Sequence, residues 1–384
     1  MSLYDLLFFG CRNRATLDAF VGVIGDLIAE SGVKKNEVRL LKSSSGYLKM
    51  RNPRTPTVVA CFSDPSANEI AVITSLLAAR VPIIPIARET ERFEDFPALL
   101  QPLNGAVLPD DRNRWTSTAI AVLESIGLLR AQRRLFISYR RTESQAVAVQ
   151  LHDALSARGF HVFLDTHSIR PGKLFQDNLW HSLCDSDVMV MLDTATYFRS
   201  KWTREEFGRA QSMGINILRI VWPGHTPERT SELSEQFALN QSDSQSDLLR
   251  SQVLEEIIEK VEWLRARGVA ARHNEITGKL KTGVEAIGGE ITGSGAYRSV
   301  SIRLKDGGAA WAYPVIGVPT AKLMHNIARW SRIAKQSGPY FVYDHTGISA
   351  SWLEHIDWLD ESISEVDCMR VSDTAAVLSR RLVS

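Results

Sequence analysis

The stretch RLFISYRRTESQAVAVQLHDALSARGFHVFLD, residues 134–165, decides the fold of the centre of the chain. It opens with the short apolar run LFIS, and the apolar residues of AVAVQLHDAL then recur at helical spacing. Gly159 stands where a helix commonly ends, and HVFL supplies a second apolar run. A strand, a helix and a strand in this order predict two parallel strands joined by a crossover helix.

The same alternation continues to about residue 224. The Pro-Gly loop SIRPGKLFQDNL (168–179) leads into a helix, and CDSDVMVMLDTATY (184–197) predicts a third strand with its turn. SKWTREEFGRAQSMG (200–214) predicts another helix, and INILRIVWPG (215–224) a fourth strand. Strands that alternate with helices favour an α/β domain with a parallel sheet.

Four blocks of this region match a known family in order and at sensible spacing: FISYRR, GFHVFLD, RPGKLF, and Ser200-Lys-Trp202 with Glu206. Together they resemble the TIR (Toll/interleukin-1 receptor) family, in particular the NAD-consuming TIR domains of bacterial defence proteins and of the animal axon-degeneration NADase. The resemblance covers roughly a quarter of the chain. It implies a flavodoxin-like TIR domain over residues 133–224, with a linker and a helix to about 270.

Glu206 is the candidate catalytic residue. In catalytic relatives the essential glutamate follows the tryptophan of the S-x-W block by four positions, which selects Glu206 rather than Glu205. Cleavage of nicotinamide from ribose passes through an oxocarbenium-like centre, and a carboxylate at the ribose can stabilise that positive charge. The alternative is a solvated glutamate in the first turn of a helix, where its charge suits the helix dipole.

The resemblance also places an apolar or aromatic side chain of the Pro-Gly loop against the nicotinamide ring. This implies Phe175, or Leu174 in its place, because a flat apolar face stacks well on a cationic pyridinium. A core anchor for the following helix is the alternative role of Phe175.

Ser138 and Arg140 end the first strand, at the edge where sheets of this kind bind ligands. We expect Arg140 to bind a phosphate or ribose, with Arg141 as an alternative and surface ion pairing as the other role of both arginines. Trp202 and Asp165 complete the candidate substrate site. The main expected role of Trp202 is packing where the Glu206 helix begins, and that of Asp165 is ordering of the Pro-Gly loop.

The flanking segments carry weaker patterns. Residues 1–130 alternate apolar runs such as YDLLFF and TVVACF with helical segments, which predicts an N-terminal α/β domain without a GxGxxG motif. The polar stretch 225–247 predicts a loop or linker, and an amphipathic helix with Leu249, Val253, Ile257, Val261 and Leu264 on one face follows it. Residues 275–384 predict a C-terminal α/β (or α+β) domain that starts with Gly-rich hairpins. Its loop 344–347 is expected to be a tight turn in which Asp344 and Thr346 cap the following helix, with ligand contact as the alternative.

Composition excludes several classes of protein. Apolar residues make up 44 % of the chain and charged residues 23 %, the balance of a globular protein, and no apolar run approaches the length of a membrane span. The net charge of +1 does not indicate nucleic-acid binding. The four cysteines form no CxxC pair, and His161, His167 and His181 lack ligand spacing, so no metal site is expected. The N-terminal run predicts a buried strand rather than a signal peptide, and we expect a cytoplasmic protein.

The leading functional hypothesis is therefore an NAD+ glycohydrolase or ADP-ribosyl cyclase, with NAD+ as substrate rather than cofactor. Family resemblance places it in bacterial antiphage defence, with regulation by homo-oligomer assembly, an activating partner or a nucleotide trigger. A non-catalytic TIR scaffold that binds signalling proteins is the alternative. A third hypothesis, compatible with the first, makes the C-terminal segment a nucleotide sensor with the TIR domain as its output.

Overall fold

The computed structural model describes residues 2–31, 33–130, 132–164, 175–231 and 233–381. Within them the chain forms three five-stranded sheets, one after another along the sequence, and a small two-stranded ribbon. Helices pack on the sheets, as the alternating pattern predicts.

The first sheet belongs to the N-terminal domain, and all of its strands are parallel. Their order is β2-β1-β3-β4-β5. β1 and β3 are buried along their whole length, which explains why they read as continuous apolar runs. The elements are β1 (Tyr4–Phe9), α1 (Arg14–Glu30), β2 (Val38–Leu41), α2 (Tyr47–Met50), β3 (Thr57–Phe62), α3 (Ala67–Ala78), β4 (Ile83–Arg88), β5 (Ala106–Leu108) and α4 (Thr116–Ser125).

The second sheet forms the central domain and repeats this topology. Its strand order is β10-β9-β8-β6-β7, again with all pairs parallel. Counted within the domain, this is the 2-1-3-4-5 order of flavodoxin-like folds, so the predicted fold class is confirmed. The elements are β6 (Arg134–Ser138), α5 (Arg141–Ala157), β7 (His161–Leu164), α6 (Phe175–Cys184), β8 (Val188–Asp193), α7 (Lys201–Ser212), β9 (Asn216–Val221) and β10 (Glu235–Ala238).

The prediction of a loop over 225–247 was wrong for its middle part. β10 lies inside this stretch and pairs in parallel with β9, where Glu235 stands opposite Leu218. A short ribbon of β11 (Ser244–Gln245) and β12 (Leu248–Leu249) follows. β10 is an edge strand that buries little beyond part of Phe237, so its composition is polar although its backbone completes the sheet.

The amphipathic helix is longer than the pattern indicates. α8 (Ser251–Ala286) continues through Gly268 and across the proposed start of the third segment. Gly268 does not end the helix; it faces Asn216, whose side-chain nitrogen lies 3.0 Å from where a Cβ would stand. The predicted apolar face is buried in the central domain, Ala266 packs into the N-terminal core, and Val269, Ile276, Leu280 and Val284 into the C-terminal one. One helix thus contributes to the cores of all three domains.

The third sheet is mixed. Its order is β13-β14-β15-β16-β17, in which the first two pairings are antiparallel and the last two parallel. The predicted hairpins are therefore present and are followed by α/β alternation. The elements are β13 (Glu290–Ser294), β14 (Val300–Arg303), β15 (Ala309–Val315), α9 (Ala321–Ala334), β16 (Pro339–Tyr343), α10 (Ala350–Ser362), β17 (Asp367–Arg370) and α11 (Thr374–Arg381). Among the described residues, no helix has both the length and the apolar character needed to cross a bilayer.

Candidate active site of the central domain

The candidate site lies at the carboxyl edge of the second sheet. β6 ends there with Ser138, and β8 ends close by with Asp193. The chain after β8 makes a short turn that contains Tyr197 and then enters α7, which carries Glu206 in its second turn. Parallel strands bring these segments to one edge because all their carboxyl ends point the same way.

Glu206 is a buried carboxylate. Only 5 % of its surface is exposed, and its Oε2 accepts a hydrogen bond from the hydroxyl of Ser138. The alternative of a solvated glutamate in the first helical turn was therefore wrong. A buried carboxylate is stable only when hydrogen bonds replace its lost hydration, so a defined partner at this position constrains how the group is oriented.

Tyr197 extends this contact into a chain of hydroxyl groups. Its Oη lies 2.6 Å from the Oγ of Ser138. An ionised carboxylate only accepts hydrogen bonds, so Ser138 donates to Glu206 and Tyr197 in turn donates to Ser138. Burial raises the pKa of Tyr197 well above its usual value, and the negative charge of Glu206 adds to this rise. The phenol therefore stays protonated and can act as a donor.

The sequence patterns did not point to Tyr197. It is fully buried among aromatic rings: its ring meets Phe198 edge to face at 5.0 Å, and Phe198 meets Phe207 at 5.4 Å. Thr203 also donates a hydrogen bond to the carbonyl of Tyr197, which ties the turn to the start of α7. The sequence feature that could have indicated Tyr197 is a tyrosine in the turn between an apolar strand and the S-x-W block.

Arg140 is held next to this turn. It precedes α5 as its N-terminal capping residue, and its Nη1 donates to the carbonyl of Thr196 over 2.6 Å. Glu143 in the first turn of α5 accepts from the hydroxyl of the same threonine. Burial alone would raise the pKa of Glu143, but the hydrogen bonds it accepts lower it on balance. The start of α5 and the turn before α7 are thus joined around one edge of the sheet.

Comparison with known families assigns this domain. A family model described as TIR domain matches residues 135–248, a range that includes β10 and ends where β12 begins. The central domain is a TIR domain. The match extends beyond the proposed end at residue 224 because the fifth strand and the ribbon are part of the fold.

Two solved structures show more distant similarity. TIR domains from the activated Roq1 resistosome that directly recognizes the pathogen effector XopQ are 17 % identical, and the match covers 36 % of this chain and 84 % of that chain with a TM-score of 0.23. A probable two-component system response regulator/GGDEF domain protein is 12 % identical over 68 % of this chain and 99 % of that chain, with a TM-score of 0.29. Both TM-scores are low, and the assignment rests on the family model and the strand order.

Trp202 is partly exposed, and its expected packing role stays a prediction. It lies in the first turn of α7, the helix of the TIR domain that carries Glu206, and 44 % of its side chain is exposed. Glu205, on the same helix, is also accessible and pairs with Lys201 over 3.7 Å. The two neighbouring glutamates therefore differ in environment, since Glu206 is buried in the domain and Glu205 is at its surface.

The Pro-Gly loop, including Asp165 and Leu174, lies outside the described residues, so the expectations for these two remain predictions. Phe175 is the first residue of α6, and its side chain is likewise not described. α6 itself packs beside α7, where the guanidinium of Arg209 lies 4.0 Å from the ring centre of Trp180. The Pro-Gly loop thus precedes α6, and α6 packs against α7, the helix that carries Glu206.

A second buried carboxylate stands at the end of β8 in the TIR domain. Asp193 lies 3.1 Å from Nε2 of His225 and 3.9 Å from Nε of the buried Arg219. Burial raises the pKa of Asp193, and the neighbouring His225 opposes that rise. Across the residues that the structure describes, no group of three or more His, Cys, Asp or Glu side chains is arranged to hold a metal ion.

The loop 344–347 of the C-terminal domain is an ordered turn. Oδ1 of Asp344 accepts from the backbone of Thr346, and Oδ2 accepts from Lys279 on α8 over 2.7 Å. Burial would raise the pKa of Asp344, but the hydrogen bonds from Lys279 and Thr346 lower it to about 2. The following helix is capped by Ser349, so the expectation that Asp344 and Thr346 cap it was wrong.

Proposed function

We propose that the TIR domain cleaves the bond between nicotinamide and ribose in NAD+, as an NAD+ glycohydrolase or ADP-ribosyl cyclase. The observation that supports this most is the buried carboxylate of Glu206, held by Ser138 and Tyr197 at the carboxyl edge of the sheet. Hydrogen-bond donors would stabilise any buried carboxylate, so it is the position of Glu206, at the strand edge where α/β domains bind ligands, that favours a functional role.

The chemistry that fits one fixed carboxylate is dissociative. The bond between ribose C1′ and the nicotinamide nitrogen breaks, and its electron pair neutralises the positive charge of the pyridinium. Glu206 stabilises the cationic centre left on the ribose, and water or an internal nucleophile then attacks C1′. The leaving group is cationic in the substrate and needs no proton, so a second carboxyl group as general acid is not required.

We propose supporting roles for the other candidate residues. Ser138 orients Glu206, and Arg140 lies close enough to the same edge to bind a ribose or phosphate of the substrate. The exposed Trp202 offers an aromatic face at the start of α7. Phe175 or Leu174 stacks on nicotinamide and Asp165 orders the loop, as the resemblance implies.

We place this activity in bacterial antiphage defence, in the cytoplasm, with activation by self-assembly, a partner or a nucleotide. The family resemblance supports this biology, in which loss of NAD+ or a nucleotide product stops the infected cell. The scaffold alternative assigns no turnover to the TIR domain and leaves Glu206 as a buried structural group.

The test is nicotinamide release from NAD+, followed by chromatography over a series of protein concentrations. We expect Glu206→Gln to lower the rate by about a hundredfold or more, since single electrostatic groups contribute on that scale. Glu205→Gln, on the same helix but at the surface, serves as the matched control and should keep full activity. The second product distinguishes ADP-ribose from a cyclic form.

Equal rates in the wild type and Glu206→Gln would disprove the assignment of the catalytic residue. Absence of release from the wild type at every concentration, with and without lysate of phage-infected cells, would favour the scaffold.

A further inference from the structure

A cavity of about 330 Å³ lies between the end of the N-terminal domain, α8 and the C-terminal domain. Leu128 and Leu129 from the end of the N-terminal domain, Val269 from α8 and Ile316 and Ile327 from the C-terminal domain contribute apolar walls. Cavities of this size at domain boundaries, mostly apolar with a few polar groups, are the usual form of small-molecule sites. It lies apart from the candidate active site, and none of Ser138, Tyr197 and Glu206 lines it.

One face of α9 presents three polar groups to this cavity. Lys322, Asn326 and Trp330 all line it and follow one another at intervals of four residues, so they form a stripe about 12 Å long. In the part of the chain that the structure describes, the ammonium, the amide and the indole N–H of these residues make no hydrogen bond or ion pair. An ammonium, an amide and an indole N–H thus line the cavity in a fixed order.

The Trp330 end of the stripe is an aromatic wall. The rings of Tyr297 and Trp330 stack 4.7 Å apart and nearly parallel, and Tyr313 follows at 6.5 Å from Trp330. Gly127 of the N-terminal domain packs against Tyr297, since a Cβ there would stand 3.1 Å from the ring. Tyr297 and Arg298 both have a positive φ, at 56° and 57°.

The charge of the lining favours an anion. Three cationic side chains, Arg130, Arg298 and Lys322, line the cavity against one carboxylate, Glu124. Arg130 is paired with Asp185 and Asp187, and Arg298 donates to the carbonyl of Ser31. Lys322 is exposed and has no protein partner among the described residues, so it is the one of the three cations that a ligand can pair with.

We propose that this cavity binds a small planar aromatic anion, with its ring at Tyr297 and Trp330 and its anionic group at Lys322. A nucleoside monophosphate has this chemistry and about this length, with the sugar opposite Asn326. An aromatic carboxylate is the other source of the same chemistry. The proposal does not depend on whether the TIR domain cleaves NAD+.

Isothermal titration of the full-length protein with adenosine 5′-monophosphate tests this. We expect saturable binding that weakens by about tenfold in Lys322→Ala, because a charge-assisted hydrogen bond is lost. Lys305→Ala removes an exposed lysine outside the cavity and should leave the affinity unchanged. Lys322 does not belong to the candidate active site, so weaker binding in Lys322→Ala than in Lys305→Ala assigns the ligand to this cavity.

Adenosine and inorganic phosphate, titrated separately, should each bind more weakly than the monophosphate, since each has only one of the two features. Indole-3-acetate is the probe for an aromatic carboxylate, and its tighter, Lys322-dependent binding would support the proposal and assign that source. If neither aromatic anion binds saturably, or if Lys322→Ala binds both as well as the wild type does, the proposal is wrong.

Discussion

At the scale of single residues, the candidate site depends on three side chains from different segments. Ser138 comes from the end of β6, Tyr197 from the turn after β8 and Glu206 from α7. Their hydroxyl and carboxylate groups are linked in one direction, from Tyr197 through Ser138 to Glu206. A buried chain of this kind fixes the carboxylate more firmly than either hydrogen bond would alone.

Removal of the donor should therefore change the titration of the active site as well as its rate. Ser138→Ala leaves the ionised carboxylate without its hydroxyl donor, and we expect kcat to fall about tenfold or more, since a hydrogen bond to a charged group contributes roughly 1.5–3 kcal/mol. The acid limb of the pH–rate profile should move to higher pH, because the ionised form is the one that loses stabilisation. Tyr197→Phe should produce the same changes to a smaller extent.

Ser212→Ala is the control. Ser212 ends α7, the helix that carries Glu206, and its hydroxyl donates to the carbonyl of Arg209. A loss of rate in Ser138→Ala with an unchanged pH profile would indicate a purely structural role for the serine.

At the scale of elements, α8 holds ionisable groups against the N-terminal domain. Glu259 on this helix accepts a hydrogen bond from Ser117 on α4 over 2.7 Å. Burial raises the pKa of Glu259 to about 7, although the hydrogen bond from Ser117 opposes that rise. Its Oε2 is buried and has no hydrogen-bond partner among the described residues, so the charged form is poorly accommodated there.

The contact of α4 with α8 should consequently weaken as the pH rises. The pKa of Glu259 is about 7 in the folded chain, against 4.5 expected in the unfolded chain. The contribution of this carboxyl group to folding stability is therefore complete below about pH 4.5, and it is lost as the pH rises through about 7. Glu259→Gln mimics the protonated acid, and we expect it to raise the thermal midpoint relative to wild type at about pH 8 but not at about pH 5.

Glu256→Gln, on the exposed side of α8, should show no such dependence on pH. The same difference between Glu259→Gln and wild type at both pH values would contradict the assigned titration.

At the scale of the whole molecule, the domains meet at a buried cluster of charges around Arg265. This α8 residue is 1 % exposed, and its guanidinium lies 3.0 Å from Asp187 before β8 and 2.5 Å from Glu124 on α4. Arg133 also belongs to the cluster, because its Nη1 lies 2.7 Å from Oε1 of Glu262 on α8. Burial would raise the pKa of Asp187, but the neighbouring Arg130 and Arg265 lower it on balance. Asp187 thus stays ionised inside the junction.

Removal of this arginine should destabilise the whole chain rather than one domain. Arg265→Met leaves Glu124 and Asp187 with fewer positive partners, and breaking a buried ion pair on one side costs about 3–5 kcal/mol. We expect a lower urea midpoint and faster limited proteolysis at the domain junctions. Arg267→Met is the matched control, since Arg267 is exposed and, among the described residues, its contact is a stack on Trp263. Equal stability of the two variants would show that the cluster does not hold the domains together.

Local patterns in the sequence determined much of this protein. Buried strands of parallel sheets read as continuous apolar runs, so β1, β3, β6 and β8 were evident. The choice of Glu206 over Glu205 came from the TIR resemblance and stays a prediction. The tertiary structure alone decided the rest. β10 is polar and exists as a strand because β9 offers it a partner, and Tyr197 and Ser138, 59 positions apart, meet only when parallel strands bring their ends together. The same holds for the continuation of α8 past Gly268. The physical reason is that apolar periodicity reports burial along one segment, whereas pairing, hydrogen bonding and charge depend on which segments the fold makes neighbours.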